Sequence, residues 1–122
     1  MVETLSQLLF NSVKSYRRDG FLLVKKQGAY TPISTGDFGD AVKFLSLGLR
    51  ALGLSKGDKL IILSENRPEW TITDFACLSN GGITVPVYTT LVPEQVKYIV
   101  NDSDTKIVVF SGLEQWKKLQ AV

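Results

Sequence analysis

The sequence predicts an α/β fold: an N-terminal hairpin and helices followed by a βαβαβ parallel-sheet unit. Three observations carry this. Three short apolar runs, Lys59 to Leu63, Ile83 to Tyr88 and Lys106 to Phe110, are rich in isoleucine and valine. Strands covered on both faces read as continuous apolar runs of this kind. The stretches between the runs carry helical periodicity, so the strands should be parallel and joined by crossover helices, right-handed because a right-twisted strand packs back onto its sheet that way. Residues before Gly57 form amphipathic patterns suited to a covering layer. With 122 residues, 44% of them hydrophobic, the chain can build one modest core and is too short for two ordinary domains.

Thr4-Leu5-Ser6-Gln7 fits a capping box and opens a helix with Leu5, Leu8, Leu9 and Val13 at helical spacing. Lys14, Arg17 and Arg18 lie near its end, where cations suit the dipole. The basic residues do not line a face, which favours a helix docked on its own domain over one lying on a membrane. Asp19-Gly20 breaks it. Phe21 to Lys26 and Ala29 to Ile33 flank Gln27-Gly28, the spacing of a two-residue hairpin. Pro32 cannot donate to a ladder, so its strand is expected to lie at an edge or to end early. Tyr30 suits cross-strand packing better than ligand contact.

Ser34-Thr35-Gly36-Asp37 opens the next helix, with Phe38, Val42, Leu45, Leu49 and Leu52 on one face and Gly53 as its left-handed terminator. Gly48 inside it costs about 1 kcal/mol relative to alanine, which close packing against another element would offset. Pro68 fits the first turn of a helix carrying Trp70, Ile72, Phe75, Ala76 and Leu78, ended by Asn80-Gly81-Gly82. Pro86 bars the second core strand from bonding on both sides throughout. Pro93-Glu94-Gln95 opens a helix with Val96, Ile99 and Val100 as its stripe, and Asn101 to Asp104 reads as a polar turn. A last helix follows the third strand, with Leu113, Trp116 and Leu119 apolar.

The charge balance is +2, from 14 basic and 12 acidic residues that are scattered, so no nucleic-acid footprint exists. There is no histidine, which removes Ser-His-Asp and Cys-His catalysis and histidine-ligated zinc. The single cysteine, Cys77, sits in an apolar helical pattern and reads as a buried, inert thiol. A reducing, cytoplasmic compartment fits this cysteine usage. No basic leader precedes an apolar run, so a signal peptide is not expected, and no run is long enough to span a bilayer. No Gly-x-Gly-x-x-Gly follows a strand, and no Gly-Lys-Ser/Thr loop is present. Asp37, Asp40, Asp58 and Glu65 do not make a metal signature. Glu65 is the acid of most interest, because it follows the carboxyl end of a strand, where ligands of open α/β sheets bind.

Three passages together resemble one family. Leu47 to Leu60, containing Leu52-Gly53 and Lys56-Gly57-Asp58, resembles the helix, Leu-Gly, Lys-Gly-Asp, strand passage of acyl-adenylate-forming (AMP-binding) ligases. Asn66-Arg67-Pro68-Glu69-Trp70 resembles the passage that follows it. Gly81 to Tyr88, Pro93 to Ile99 and Asn101-Asp102-Ser103 resemble the next strand, helix and turn. The wording is closest to the long-chain fatty acyl-CoA synthetases. The resemblance implies that residues 1–122 are the N-terminal part of a larger adenylate-forming domain. It implies a parent ligase using ATP, Mg²⁺ and coenzyme A: a carboxylate attacks the α-phosphate to give acyl-adenylate and pyrophosphate, and the CoA thiol then displaces AMP.

The Ser/Thr/Gly-rich phosphate loop ending in Lys-Gly and the later adenylation lysine of that family have no counterpart here. No catalytic, cofactor-binding or metal residue is therefore assigned, and no ATP, Mg²⁺ or CoA site is expected within these residues. The expectation is a truncated scaffold portion, inactive alone, with fatty acid as the parent's substrate and peripheral membrane contact compatible with so greasy a substrate. An open sheet edge would make the isolated piece self-associate. The alternative is a complete small α/β protein-interaction module without enzymatic activity.

Overall fold

The computed structural model describes all residues from Met1 to Val122. In chain order the elements are α1 (Leu5–Ser15), β1 (Leu22–Lys26), β2 (Ala29–Ile33), α2 (Thr35–Ala51), β3 (Lys59–Leu63), α3 (Pro68–Ser79), β4 (Ile83–Val87), α4 (Pro93–Ser103), β5 (Ile107–Phe110) and α5 (Gly112–Gln120). β1 and β2 form an antiparallel hairpin, and β4-β3-β5 form a parallel sheet in that order.

β3 is the central strand, and its sequence explains why. Leu60, Ile61, Ile62 and Leu63 are all buried, so the run has no polar face to give to water. Successive side chains point to opposite faces of a strand. Leu60 and Ile62 accordingly join Leu49 and Leu54 with Ala76 and Cys77 of α3. Ile61 and Leu63 join Val87 and Val96, with Leu119 of α5 packed against them. Thus α2 and α3 cover one face of the sheet, and α4 and α5 cover the other. Burial of the four β3 side chains contributes on the order of 6–12 kcal/mol relative to leaving them exposed.

The N-terminal elements dock on the outside of the α2–α3 layer. Leu9, Phe38 and Val42 form a third cluster, with Val13, Leu22, Ile33, Ile72 and Phe75 around it. Phe38 meets Phe21 edge-on at 5.2 Å and Phe75 at 6.3 Å, a geometry favoured by the ring quadrupoles. Gly39 is the point of closest approach to α1: a Cβ there would lie 2.8 Å from Val13 Cγ1. The hairpin turns through Gln27 and Gly28, at φ 49° and 82°, as a type I′ turn requires.

Helix ends follow local chemistry. The Thr4 hydroxyl accepts from the Gln7 amide at 3.1 Å, and the Ser34 hydroxyl from the Asp37 amide at 3.0 Å. The Gln7 side chain reaches back to the Glu3 amide at 2.8 Å rather than to the Thr4 amide of a strict capping box. Gly53 terminates α2 at φ 96°.

Four sequence expectations are corrected. Asn101 to Ser103 belong to α4, whose end falls one residue later at Asp104 in the left-handed region, φ 51°. An aspartate tolerates that conformation through its short polar side chain. On α5 the inward side includes Gln115 and Leu119, while Leu113 and Trp116 are exposed; Trp116 instead stacks on Phe110 at 5.4 Å. Leu5, Leu8 and Leu52 are exposed, because α1 buries only its Leu9 side and Leu52 caps α2. Gly48 has nothing within 4 Å of where a Cβ would stand, so no element of this chain packs closely there.

Candidate functional site

At the carboxyl ends of the three parallel strands polar side chains converge on crevices beside the sheet. The topology makes these crevices. β3 leads into α3 on one face, whereas its neighbours β4 and β5 lead into α4 and α5 on the other. The loops leaving adjacent strands therefore part, and a gap opens on each side of β3, the position where open α/β sheets bind ligands. The gap between β3 and β4 holds about 650 Å³ and is bordered by Ser64, Glu65, Asn66 and Trp70 on one side and Pro86 to Thr89 on the other. The gap between β3 and β5, about 210 Å³, is bordered by Ser64, Arg67, Trp70, Thr73, Ser111 and Gly112.

A charged network lies across these ends. The Ser111 hydroxyl donates to the Glu65 carboxylate. Arg67 donates from Nη1 to Glu65 at 3.3 Å and from Nε to Glu69 at 2.9 Å. The Ser111 amide continues the β3–β5 ladder to the Leu63 carbonyl at 3.1 Å. Thr73 Oγ1 donates to the Glu69 carbonyl at 2.7 Å. On the far side Lys118 Nζ donates to the Thr89 carbonyl, tying α5 to the loop after β4. The Ser111 hydroxyl, then the backbone and Arg67, hold the Glu65 carboxyl below the usual glutamate range. Arg67 does the same for Glu69, and the two glutamates, Glu69 first, raise the guanidinium in return.

This arrangement suits Glu65 to the ionised state, held in place by two donors. A carboxylate so held is a poor general acid near neutral pH, since a useful acid needs a pKa close to the operating pH. Its geometric effect is to brace the loop after β3 against the end of β5.

The other acids lie elsewhere. Asp58 sits at the amino end of the sheet, where it accepts from the Ser55 amide at 2.7 Å and from Lys106 Nζ at 3.0 Å; both interactions, the Ser55 amide foremost, lower its pKa. Asp37 and Asp40 are exposed on α2. No three His, Cys, Asp or Glu side chains come together as a metal cage. Cys77 is wholly buried and burial pushes its thiol pKa up. Tyr30 is exposed on the hairpin, opposite Lys25. Sequence reasoning singled out Glu65 and missed Ser111, whose partner lies 46 residues away; only the register that sets Leu63 beside Phe110 brings them together.

Solved structures share this architecture. The N-terminal domain of FACL13 from Mycobacterium tuberculosis superposes over 99% of the chain with a TM-score of 0.84 and 20% identity, and the chain spans 30% of that domain. The family model described as AMP-binding enzyme matches residues 10–122. The chain belongs to the AMP-binding enzyme family. Among curated relatives, the long-chain-fatty-acid–CoA ligase FadD15 of Mycobacterium bovis is 38% identical over 84 residues, 69% of this chain and 14% of its own length. The 4-hydroxybutyrate–CoA ligase 2 of Metallosphaera sedula is also 38% identical, over 106 residues, 86% of this chain and 19% of its own length. The chain thus spans less than a fifth of the length of these curated relatives.

Proposed function

We propose that residues 1–122 are the N-terminal part of the large domain of an ATP-dependent long-chain fatty acid–CoA ligase, supplying scaffold while the reacting groups come from elsewhere in a longer protein. The observation that carries this is the family match over residues 10–122, together with relatives named as acyl–CoA ligases. The parent would join a carboxylate to AMP with release of pyrophosphate, then exchange AMP for the CoA thiol. ATP, Mg²⁺ and CoA are its proposed co-reactants. The acids in hand do not fit a Mg²⁺ site: Glu65 and Glu69 are both engaged by Arg67, and Asp58 by Lys106. The contribution of these residues is instead to hold apart the strand ends that border the two crevices.

The long-chain assignment rests on the passages around Asn66 to Trp70 and on the FadD15 relatives. A 4-hydroxybutyrate ligase at equal identity shows that this stretch is shared across acyl classes, so the test must vary the acid. The native reading frame beyond Val122 is read first, and the full-length product is assayed for ATP–pyrophosphate exchange with a saturated long-chain acid and with 4-hydroxybutyrate. Exchange with the long-chain acid is expected; exchange with 4-hydroxybutyrate alone overturns the chain-length assignment, and none with any acid overturns the ligase reading. The 122-residue chain by itself should give no exchange above a no-protein control.

No helix is long and apolar enough to cross a membrane. We place the parent in the cytoplasm, with peripheral membrane contact compatible with so greasy a substrate; α1 itself docks on its own domain through Leu9 and Val13. Self-association of the isolated chain is expected as well, since β4 and β5 each leave one edge unpaired.

A further inference from the structure

One wall of the larger crevice is a loop with little support of its own, and a single side chain holds it from behind. Residues 88–92 join β4 to α4, and Tyr88 and Thr89 border the 650 Å³ crevice. β4 is an edge strand paired only with β3, and Pro86 has no amide to donate just before the loop begins. The bonds within the loop are local. The Leu91 amide closes a turn on the Tyr88 carbonyl at 3.3 Å, and the Val92 amide meets the Gln95 side chain of α4 at 3.2 Å. Tyr88 is 79% exposed. Leu91 turns inward against the Ile61 and Leu63 side of the sheet, so the far end of the loop is held by packing.

One hydrogen bond ties residues 88–92 to an element beyond α4: Lys118 Nζ of α5 donates to the Thr89 carbonyl. Lys118 does not border the crevice. The crevice opens beside Trp70 on the α3 face, whereas α5 covers the opposite face through Leu119. The amine therefore reaches the loop from the back, across 29 residues of sequence, and takes the carbonyl of the residue after Tyr88. A simpler role for a lysine here is to offset the negative end of the α5 dipole. Lys117, in the same last turn, is exposed and suffices for that. Lys118 is half-buried and bonded, and a charged donor makes a stronger bond to a carbonyl than a neutral one does.

We propose that Lys118 is a strap: its bond to Thr89 fixes the loop after β4, and with it one wall of the larger crevice. It is a positioning residue, acting through the Thr89 backbone. Releasing the strap lets Tyr88 and Thr89 move while the sheet and α5 stay folded. The strap stands independently of the ligase reading.

Backbone order parameters of the nitrogen-15-labelled chain, measured residue by residue, test this. In the unaltered chain Thr89 to Leu91 should be nearly as ordered as β3, at about 0.85. Lys118→Met keeps the apolar stem and removes the donor; Thr89 to Leu91 should then fall toward about 0.6 while β3 is unchanged. Lys118→Arg keeps a charged donor and should restore the order. Lys117→Met removes a charge from the same turn without breaking a bond, and should leave the loop as it was. A loop already mobile in the unaltered chain overturns the proposal, as does one that stays ordered in Lys118→Met. Equal loosening by Lys117→Met, or no restoration by Lys118→Arg, overturns it too. So does loss of the β3 signals in Lys118→Met, because a strap confined to the loop leaves the sheet folded.

Discussion

Replacing Gly82 with alanine probes the join between α3 and β4, on which the position of the larger crevice depends. Gly82 is buried, and a Cβ there would stand 2.7 Å from Cys77 Sγ, 3.1 Å from the Cys77 carbonyl oxygen and 3.3 Å from the Asp58 carbonyl oxygen. The sulfur is itself fully buried. The carbonyls are not free either. The Cys77 oxygen accepts from the Asn80 and Gly82 amides, both at 3.0 Å, and the Asp58 oxygen accepts from the Ile83 amide at 2.8 Å. Overpacking costs about 1–3 kcal/mol, and lengthening one of these hydrogen bonds adds about 1 kcal/mol. The smaller conformational freedom of alanine in the unfolded chain returns about 0.5 kcal/mol. The net loss is about 2 kcal/mol, or a Tm lower by about 6–12 °C for a chain of this size. Urea melts should show a lower midpoint at unchanged slope. Combining it with Cys77→Ala removes the sulfur contact but leaves both carbonyls, so the pair should be less than additive by about 1 kcal/mol. A Gly82→Ala loss under about 0.5 kcal/mol, or strict additivity in the double variant, would refute the reasoning.

Two further perturbations address the covering layer and the strand-end network. Gly39→Ala meets a side chain rather than a backbone, Val13 Cγ1 at 2.8 Å, so Val13→Ala should rescue most of its loss of about 1 kcal/mol in the same melts; no rescue would mean that α1 does not dock at this point. Ser111→Ala removes the largest cause of the depressed Glu65 pKa, and carbon-13 titration of the carboxyl should find it moved up toward the ordinary glutamate range. A depressed folded-state pKa means that Glu65 contributes stability above its unfolded value and loses it as pH falls through the folded one. The variant should therefore depend less on pH at the acid end, and an unmoved Glu65 titration would show that the hydroxyl contact is absent in solution.

Much of the architecture was legible because the local chemistry and the final packing agree. Leu60 to Leu63 could be read as a doubly covered strand since all four side chains are in fact buried. Gln27-Gly28 could be read as a hairpin turn since both residues adopt positive φ. What was illegible depends on long-range pairing. The order β4-β3-β5 is written in no local pattern, yet it alone sends the loops of β3 and its neighbours to opposite faces. Helix α5 shows the same dependence: of its apolar residues Leu119 packs inward, whereas Trp116 stacks on Phe110 outside the core. Gln115 takes an inward place with its side-chain oxygen unpaired, for which the structure gives no reason.

The same distinction explains why the candidate site is half visible. Glu65 could be found from its place after a strand, because that signal lies within a few residues. Its partner Ser111 could not, because their contact exists only once β3 and β5 are in register. The network they form consumes the charges it contains: Arg67 is divided between two glutamates, and Glu65 between Arg67 and Ser111. The side-chain charges at these strand ends are thus spent on bracing the rim, while the first amides of α3 and α5 carry no side-chain cap. Bracing two crevices from a single central strand fixes their separation by the 4.7–4.9 Å spacing of neighbouring strands, so groups arriving from other segments would meet a frame whose geometry is already set by β3.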